Sequence, residues 1–161
     1  WSTSIQNNIA FAEKDAEDNQ IIEAAKKSDL HNEILQMPRS YNTLIGENGV
    51  SLSGGQKQRM SIARALLKQS QILIMDDALS AVDAKTETEI LHALRKERNG
   101  KTTLIAAHRL TSVMNADLIL VLKDGKIVER GTHDQLLANN GWYAEMWRRQ
   151  EFEEKVGEKH E

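Results

Sequence analysis

Apolar residues recur at three- and four-residue spacing across residues 18–35, at Ile21, Ile22 and Ala25 and then at Leu30, Ile34 and Leu35. That period predicts an amphipathic helix. Ser28-Asp29 divides it into two helices and Pro38 ends the second. Residues 41–53 are rich in Asn, Gly and Ser and read as a loop. A further helix is expected from near Gly54, with Met60, Ala63, Leu66 and Leu67 on its apolar face. Residues 71–75 are apolar without alternation, which predicts a strand covered on both faces. Asp83 suits the N-cap of a helix carrying Ile90, Leu91 and Leu94. Residues 102–107 and 118–122 read as two more buried strands, the latter turning at Lys123-Asp124-Gly125 into a hairpin with 126–129. Short helices are expected at 133–137 and 142–149, and a frayed, charged tail at 151–161. Buried strands alternating with helices indicate an α/β domain with a mainly parallel sheet. Ligands of such sheets sit at the carboxyl ends of the strands. Asp76-Asp77 and His108 follow two of these strands.

Composition narrows the picture without naming a chemistry. The chain has 161 residues, 40% of them hydrophobic and 28% charged, which is one globular domain's worth. A net charge of −3 gives no basic stripe for nucleic acid, so none is expected as a partner. Cysteine is absent, which excludes disulfides and thiolate metal sites and fits a cytosolic compartment. The apolar runs are too short to span a bilayer. Trp1-Ser2-Thr3-Ser4-Ile5 carries neither an initiator Met nor a leader pattern, so the sequence reads as the middle of a longer polypeptide.

Three local patterns carry candidate chemistry. Ser53-Gly54-Gly55-Gln56 opens a helix, where free backbone N–H groups and a partial positive charge suit a phosphate. A flexible loop with a serine cap is the competing reading of those four residues. Ile72-Leu73-Ile74-Met75-Asp76 is a strand ending in a carboxylate, the arrangement by which P-loop NTPases hold Mg²⁺. A helix cap or solvated acid is the alternative. His108 after Leu104-Ile105-Ala106-Ala107 suits contact with a transferring phosphate or a water, against a plain surface histidine.

Taken in order, these stretches resemble the ATP-binding-cassette family, specifically the nucleotide-binding domain of exporter-type transporters. Leu52-Ser53-Gly54-Gly55-Gln56 is similar to the signature motif, and Ile72–Asp76 to the Walker B strand. Ser80-Ala81-Val82-Asp83 is similar to the D-loop, and His108 to the switch histidine. Thr43-Leu44-Ile45-Gly46-Glu47-Asn48-Gly49 resembles the loop that faces transmembrane coupling helices. The likeness extends to about Gln150. It implies a partial P-loop NTPase-like core with an α-helical signature subdomain: residues 1–68 as that subdomain with its connecting loops, 69–150 as the C-terminal half of the ATPase core, 151–161 as the tail. No G-x-x-x-x-G-K-[ST] occurs, so the Walker A strand is missing from these residues. The resemblance implies ATP and Mg²⁺, with Asp76 on the metal through water. It implies Asp77 and His108 as catalytic residues. Ser53, Gly54, Gly55 and Gln56 are then offered in trans to a second subunit's ATP, with Ser80 and Asp83 in the D-loop and Thr43, Gly46, Glu47 and Gly49 in the coupling loop. Transmembrane domains of the same chain would anchor the domain at the cytoplasmic face of a membrane, and the 161 residues alone would be inactive. Soluble ATPases of the superfamily and regulatory ATP-binding modules are the competing classes.

Asp77 departs from the family, which places Glu after the Walker B aspartate to orient the attacking water. Aspartate reaches about 1.5 Å less, and misplacing a catalytic group by about 1 Å can cost on the order of 100-fold in rate. The expectation is a heterodimer in which this domain builds a weak site on its own Walker side and lends an intact signature to the partner's site. A homodimer that tolerates Asp77 is the alternative.

Overall fold

A helix with apolar positions on two sides can fasten two cores together, and the helix beginning at Gly54 does so. In a computed structural model describing residues 3–46 and 49–157, the chain divides into two compact units, Trp1–Ala106 and Ala107–Glu161.

In the first unit, β1 (Thr3–Ser4) pairs antiparallel with β2 (Leu44–Ile45), a two-residue ladder whose second strand lies within the stretch 41–53 read as loop. α1 (Ile5–Ile9), α2 (Asp18–Lys27) and α3 (His31–Leu35) follow the helical pattern. α2 ends at Ser28, and Asp29 takes a left-handed φ of 53°, so the break at Ser28-Asp29 is a helix C-cap. α4 (Gly54–Leu67) buries Met60 and Ala63 against Ile5, Ile9, Ile21, Ala25 and Ile34, which form the core of the helical part. Its other stripe, Ile62 and Leu66, enters a second core with Leu73 and Met75 of β3 (Ile72–Asp76) and Ile90 and Leu94 of α5 (Ala84–Glu97). Truncating a buried leucine such as Leu66 to alanine costs roughly 2–5 kcal/mol, so this stripe fixes α4 on the strands. β3 lies parallel to β4 (Thr102–Ala106), in register from Ile72 opposite Thr102 to Asp76 opposite Ala106, with α5 as the crossover. Arg98, buried just after α5, donates to the carbonyls of Ser70 and Thr102 at 3.0 and 2.8 Å and holds the entries of both strands together.

One strand expectation needs correction. β3 and β4 are covered on one face only: Leu73 and Met75 are buried, while Ile72, Ile74 and Leu104 are 60%, 69% and 53% exposed. Strand side chains alternate between faces, and within this chain α4 and α5 cover only one of them. Residues 118–122 form the hairpin read from the sequence: β5 (Ile119–Lys123) pairs antiparallel with β6 (Lys126–Gly131) in the second unit. Asp124 and Gly125, at φ 50° and 72°, make the tight turn between them. Ile119 and Val121 pack on Leu136 of α6 (His133–Ala138) and Tyr143 of α7 (Trp142–Gly157). α7 runs well past residue 149, through the stretch expected to fray. The pairs Arg149–Glu153 at 3.1 Å and Lys155–Glu151 at 3.0 Å add i,i+4 support there.

Candidate functional site

The N-terminus of α4 is held by a reciprocal capping box. Ser53 Oγ accepts from the Gln56 amide at 3.2 Å, and Gln56 Oε1 accepts from the Ser53 amide at 2.9 Å. While accepting from the Gln56 amide, the Ser53 hydroxyl keeps a proton with which it can donate. The other end of the Gln56 side chain donates to Glu33 at 2.7 Å, so Gln56 is engaged within the chain at both ends. Glu33 also pairs with buried Arg59 at 2.5 Å, and the Arg59 guanidinium donates to the Asp29 carbonyl as well, while its Nε carries no hydrogen bond. Burial pushes the Glu33 carboxyl up, but the bonds from Gln56 and Arg59 outweigh it and hold the group below its ordinary value of 4.5.

The loop after β3 is seated against this helix end. A Cβ on Gly55 would stand 2.8 Å from the Ala81 carbonyl oxygen, and one on Gly54 would stand 3.4 Å from Ala81 Cβ. Gly55 is thus required by the close approach of residue 81. Gln58, one turn into the helix, donates to Ser80 Oγ at 2.9 Å and to the Asp77 carbonyl at 3.3 Å, and accepts from the Ala81 amide at 2.8 Å. Asp77 itself is left-handed at φ 49°, a conformation of order 1–3 kcal/mol above the usual wells for a non-glycine residue. Its amide donates to the Ala106 carbonyl at 3.0 Å, continuing the β3–β4 ladder by one bond. Asp76 and Asp77 are both exposed at the carboxyl end of β3. Asp83 caps α5 by accepting from the Thr86 amide at 3.0 Å, and that bond holds its carboxyl below the usual range.

The loop before α4 is tightly folded. Thr43 is buried, its hydroxyl accepting from the Arg39 amide and its carbonyl from the Ile5 amide, both at 3.1 Å. Gly46 has φ 117°, and a Cβ on Gly49 would stand 2.3 Å from the Leu44 carbonyl oxygen. Glu47 lies outside the described residues. A cleft of about 410 Å³ opens beside this loop, lined by Gly46, Val50, Lys57, Ser61 and Arg64. Arg64 closes one side of it, donating to the Asn8 carbonyl at 2.9 Å and to Asn8 Oδ1 at 2.8 Å.

His108 belongs to the second unit and is exposed. Its carbonyl accepts from Gln150 Nε2 at 3.0 Å, and Gln150 Oε1 accepts from the Leu110 amide at 2.9 Å. One side chain of α7 therefore braces the backbone on both sides of Arg109.

Residues 1–80 match the ABC transporter family. The chain is 51% identical over 152 residues to the "Probable multidrug resistance ABC transporter ATP-binding/permease protein YheI" of Bacillus subtilis (strain 168), covering 94% of this chain and 26% of that protein. It is 47% identical over 158 residues to the "ATP-dependent lipid A-core flippase" of Syntrophus aciditrophicus (strain SB), covering 98% of this chain and 26% of that protein. A solved bacterial Atm1-family ABC exporter with ATP bound superposes with a TM-score of 0.84 at 42% identity, covering 92% of this chain and 26% of that one. The chain belongs to the ABC transporter family. It spans about a quarter of the length of these relatives, and its fold is part of a P-loop NTPase-like ATP-binding cassette.

The first unit carries the stretches that resemble the signature at the start of α4, the Walker B strand in β3 and the D-loop at residues 80–83, while His108, which resembles the switch histidine, lies in the second unit. Among the described residues no group of three or more His, Asp or Glu side chains could hold a metal by itself. A single exposed carboxylate at Asp76 suits Mg²⁺, which keeps several waters and takes one or two carboxylates together with phosphate oxygens. Among the described residues no helix is long and apolar enough to cross a membrane. Sequence reasoning missed Gln58, Glu33, Arg59 and Gln150. Arg59 is a cation beside the buried face of α4, a signal that a carboxylate partner lay elsewhere in the chain. Nothing local marks Gln58 or Gln150, whose partners lie 19–23 and 40–42 residues away.

Proposed function

We propose that the chain is the C-terminal part of the ATP-hydrolysing domain of a membrane exporter, and that the full protein couples ATP hydrolysis to export. Asp76 holds Mg²⁺ through water, Asp77 takes the place of the catalytic glutamate, and His108 contacts the γ-phosphate. Ser53, Gly54 and Gly55 face ATP bound to a second subunit, with Gln56 holding that helix end in shape and Ser80 and Asp83 forming the D-loop between the sites. Thr43, Gly46, Glu47 and Gly49 face the transmembrane coupling helices, and the cleft beside Arg64 offers them a seat. The domain works at the cytoplasmic face of a membrane.

The observation that carries the finer reading is Asp77: its charge matches the family, its reach does not, while the signature is intact. This domain therefore pairs with a non-identical subunit, retains ATP longer than it hydrolyses it on its own Walker side, and completes the partner's working site. Hydrolysis by the full-length protein, alone and with its candidate partner, tests this. Activity is expected to require the partner and to vanish when the partner loses its catalytic glutamate. Asp77→Glu is expected to raise hydrolysis on this domain's Walker side by about tenfold or more, given the sensitivity of rate to about 1 Å of placement. Normal hydrolysis by the protein alone, or no gain from Asp77→Glu, would overturn the heterodimeric reading.

A further inference from the structure

Gln58 joins the first turns of α4 to the loop carrying Asp77 by three hydrogen bonds. Its Nε2 donates to the Asp77 carbonyl and to Ser80 Oγ, and its Oε1 accepts from the Ala81 amide. The Ser80 hydroxyl donates in turn to the same Asp77 carbonyl at 3.1 Å. That carbonyl belongs to a left-handed residue and also accepts the turn bond from the Ser80 amide at 3.4 Å, so the Gln58 amide and the Ser80 hydroxyl reinforce a turn that the backbone bond closes only loosely. On the other side, the absent side chain of Gly55 lets the Ala81 carbonyl reach the helix. A long amide side chain loses rotamer freedom when both its ends are fixed, yet here both ends are spent on one loop.

The geometry points to Gln58 as a positioning residue for ATP hydrolysis: its amide locks residues 77–81 to the first turns of α4, so that the signature and the Asp77 carboxylate move as one piece. This rests on the assignment of Asp77 and the signature to ATP sites made above. Because those elements serve different ATP sites in the paired domains, Gln58 is the link through which the state of one site is felt at the other. Both ends of its amide are taken up by residues 77–81, so it acts through the loop it holds.

The test uses the full-length transporter assembled with its partner, with Gln58→Met as the near-isosteric variant lacking hydrogen bonds. Gln58→Glu is the second variant, which keeps an acceptor for the Ala81 amide but loses the donor to the Asp77 carbonyl. Gln58→Met is expected to lower kcat about tenfold with KM for ATP within about twofold, because ground-state binding is untouched while placement is lost. Independently of activity, hydrogen exchange at the Ala81 amide is expected to quicken about tenfold or more, with the melting temperature unchanged. Gln58→Glu is expected to keep Ala81 protected and still lower kcat. Wild-type kcat and wild-type Ala81 exchange in Gln58→Met would overturn the proposal. So would a kcat that falls only in step with a lower melting temperature and a higher KM, since that marks a merely structural contact. The helix end and the loop are joined within this chain whichever partner completes the sites. A failure of Asp77→Glu to gain activity therefore counts against the heterodimeric reading alone, and the Gln58 variants are judged by their own readouts.

Discussion

At the scale of single residues, the glycines of the LSGGQ stretch answer to packing within the chain. A methyl group at position 55 would meet a backbone oxygen at 2.8 Å, nearer than real Cβ contacts come. Alanine gains about 1 kcal/mol over glycine in helix propensity, whereas overpacking of this kind costs about 1–3 kcal/mol and shifts backbone. The clash wins, because the Ala81 carbonyl is tied through its neighbours to Gln58. Gly55→Ala in the full-length protein is therefore expected to lower the melting temperature and to cut hydrolysis at least as far as Gln58→Met does. A thermal scan alongside a steady-state assay checks it, and an unchanged melting temperature would mean that the loop yields freely. The LSGGQ stretch, the strand ending in Asp76 and His108 were all legible as likenesses to the family's motifs. The amides that hold them were not, since a glutamine on a polar helix face looks the same whether it meets water or a distant loop.

At the scale of elements, α4 is the central member of the first unit. It presents Met60 and Ala63 to the helical core, Ile62 and Leu66 to the strand core, and its N-terminus to the loop after β3. Its attachment to α3 passes through Glu33, which binds both Gln56 and Arg59. Because the folded-state pKa of Glu33 lies below its ordinary 4.5, its contribution is fully present above pH 4.5 and is lost as pH falls through the lower folded value. Glu33→Gln is expected to lower the melting temperature of the domain at pH 7 and to leave a smaller further fall between pH 5 and pH 3 than wild type shows. Parallel acid profiles for the two proteins would remove Glu33 as the titrating anchor. The helical period exposed the apolar stripes of α4 and set Arg59 beside them, but which carboxylate it meets depends on how α3 packs.

At the scale of the whole chain, the open face of the β3–β4 pair sets the behaviour. Ile72, Ile74 and Leu104 are more than half exposed on the face left uncovered within this chain. An apolar sheet face and unpaired strand edges are templates for association. The 161 residues alone are expected to self-associate at micromolar concentration and to bind a hydrophobic dye. The remainder of the cassette, supplied in trans, is expected to suppress both. Light scattering on a size-exclusion column gives the answer, and a monodisperse, cooperatively melting monomer would contradict it.

The sequence by itself determined the family, the order of helices and strands, and the motifs at the helix and strand ends, because each of these depends on residues near one another in the chain. Helical period, cap residues and turn glycines are local, and so are LSGGQ at the start of α4 and Asp76-Asp77 at the end of β3. Tertiary structure alone decided that the apolar strands β3 and β4 are covered on one face and that Glu33, Gln58 and Gln150 fasten the motif-bearing segments in place. Those outcomes depend on which surfaces meet across 19 to 42 residues of chain. Packing and polar pairing at that separation leave no periodic trace, since any exposed glutamine or strand face can meet its partner only once the intervening chain has folded.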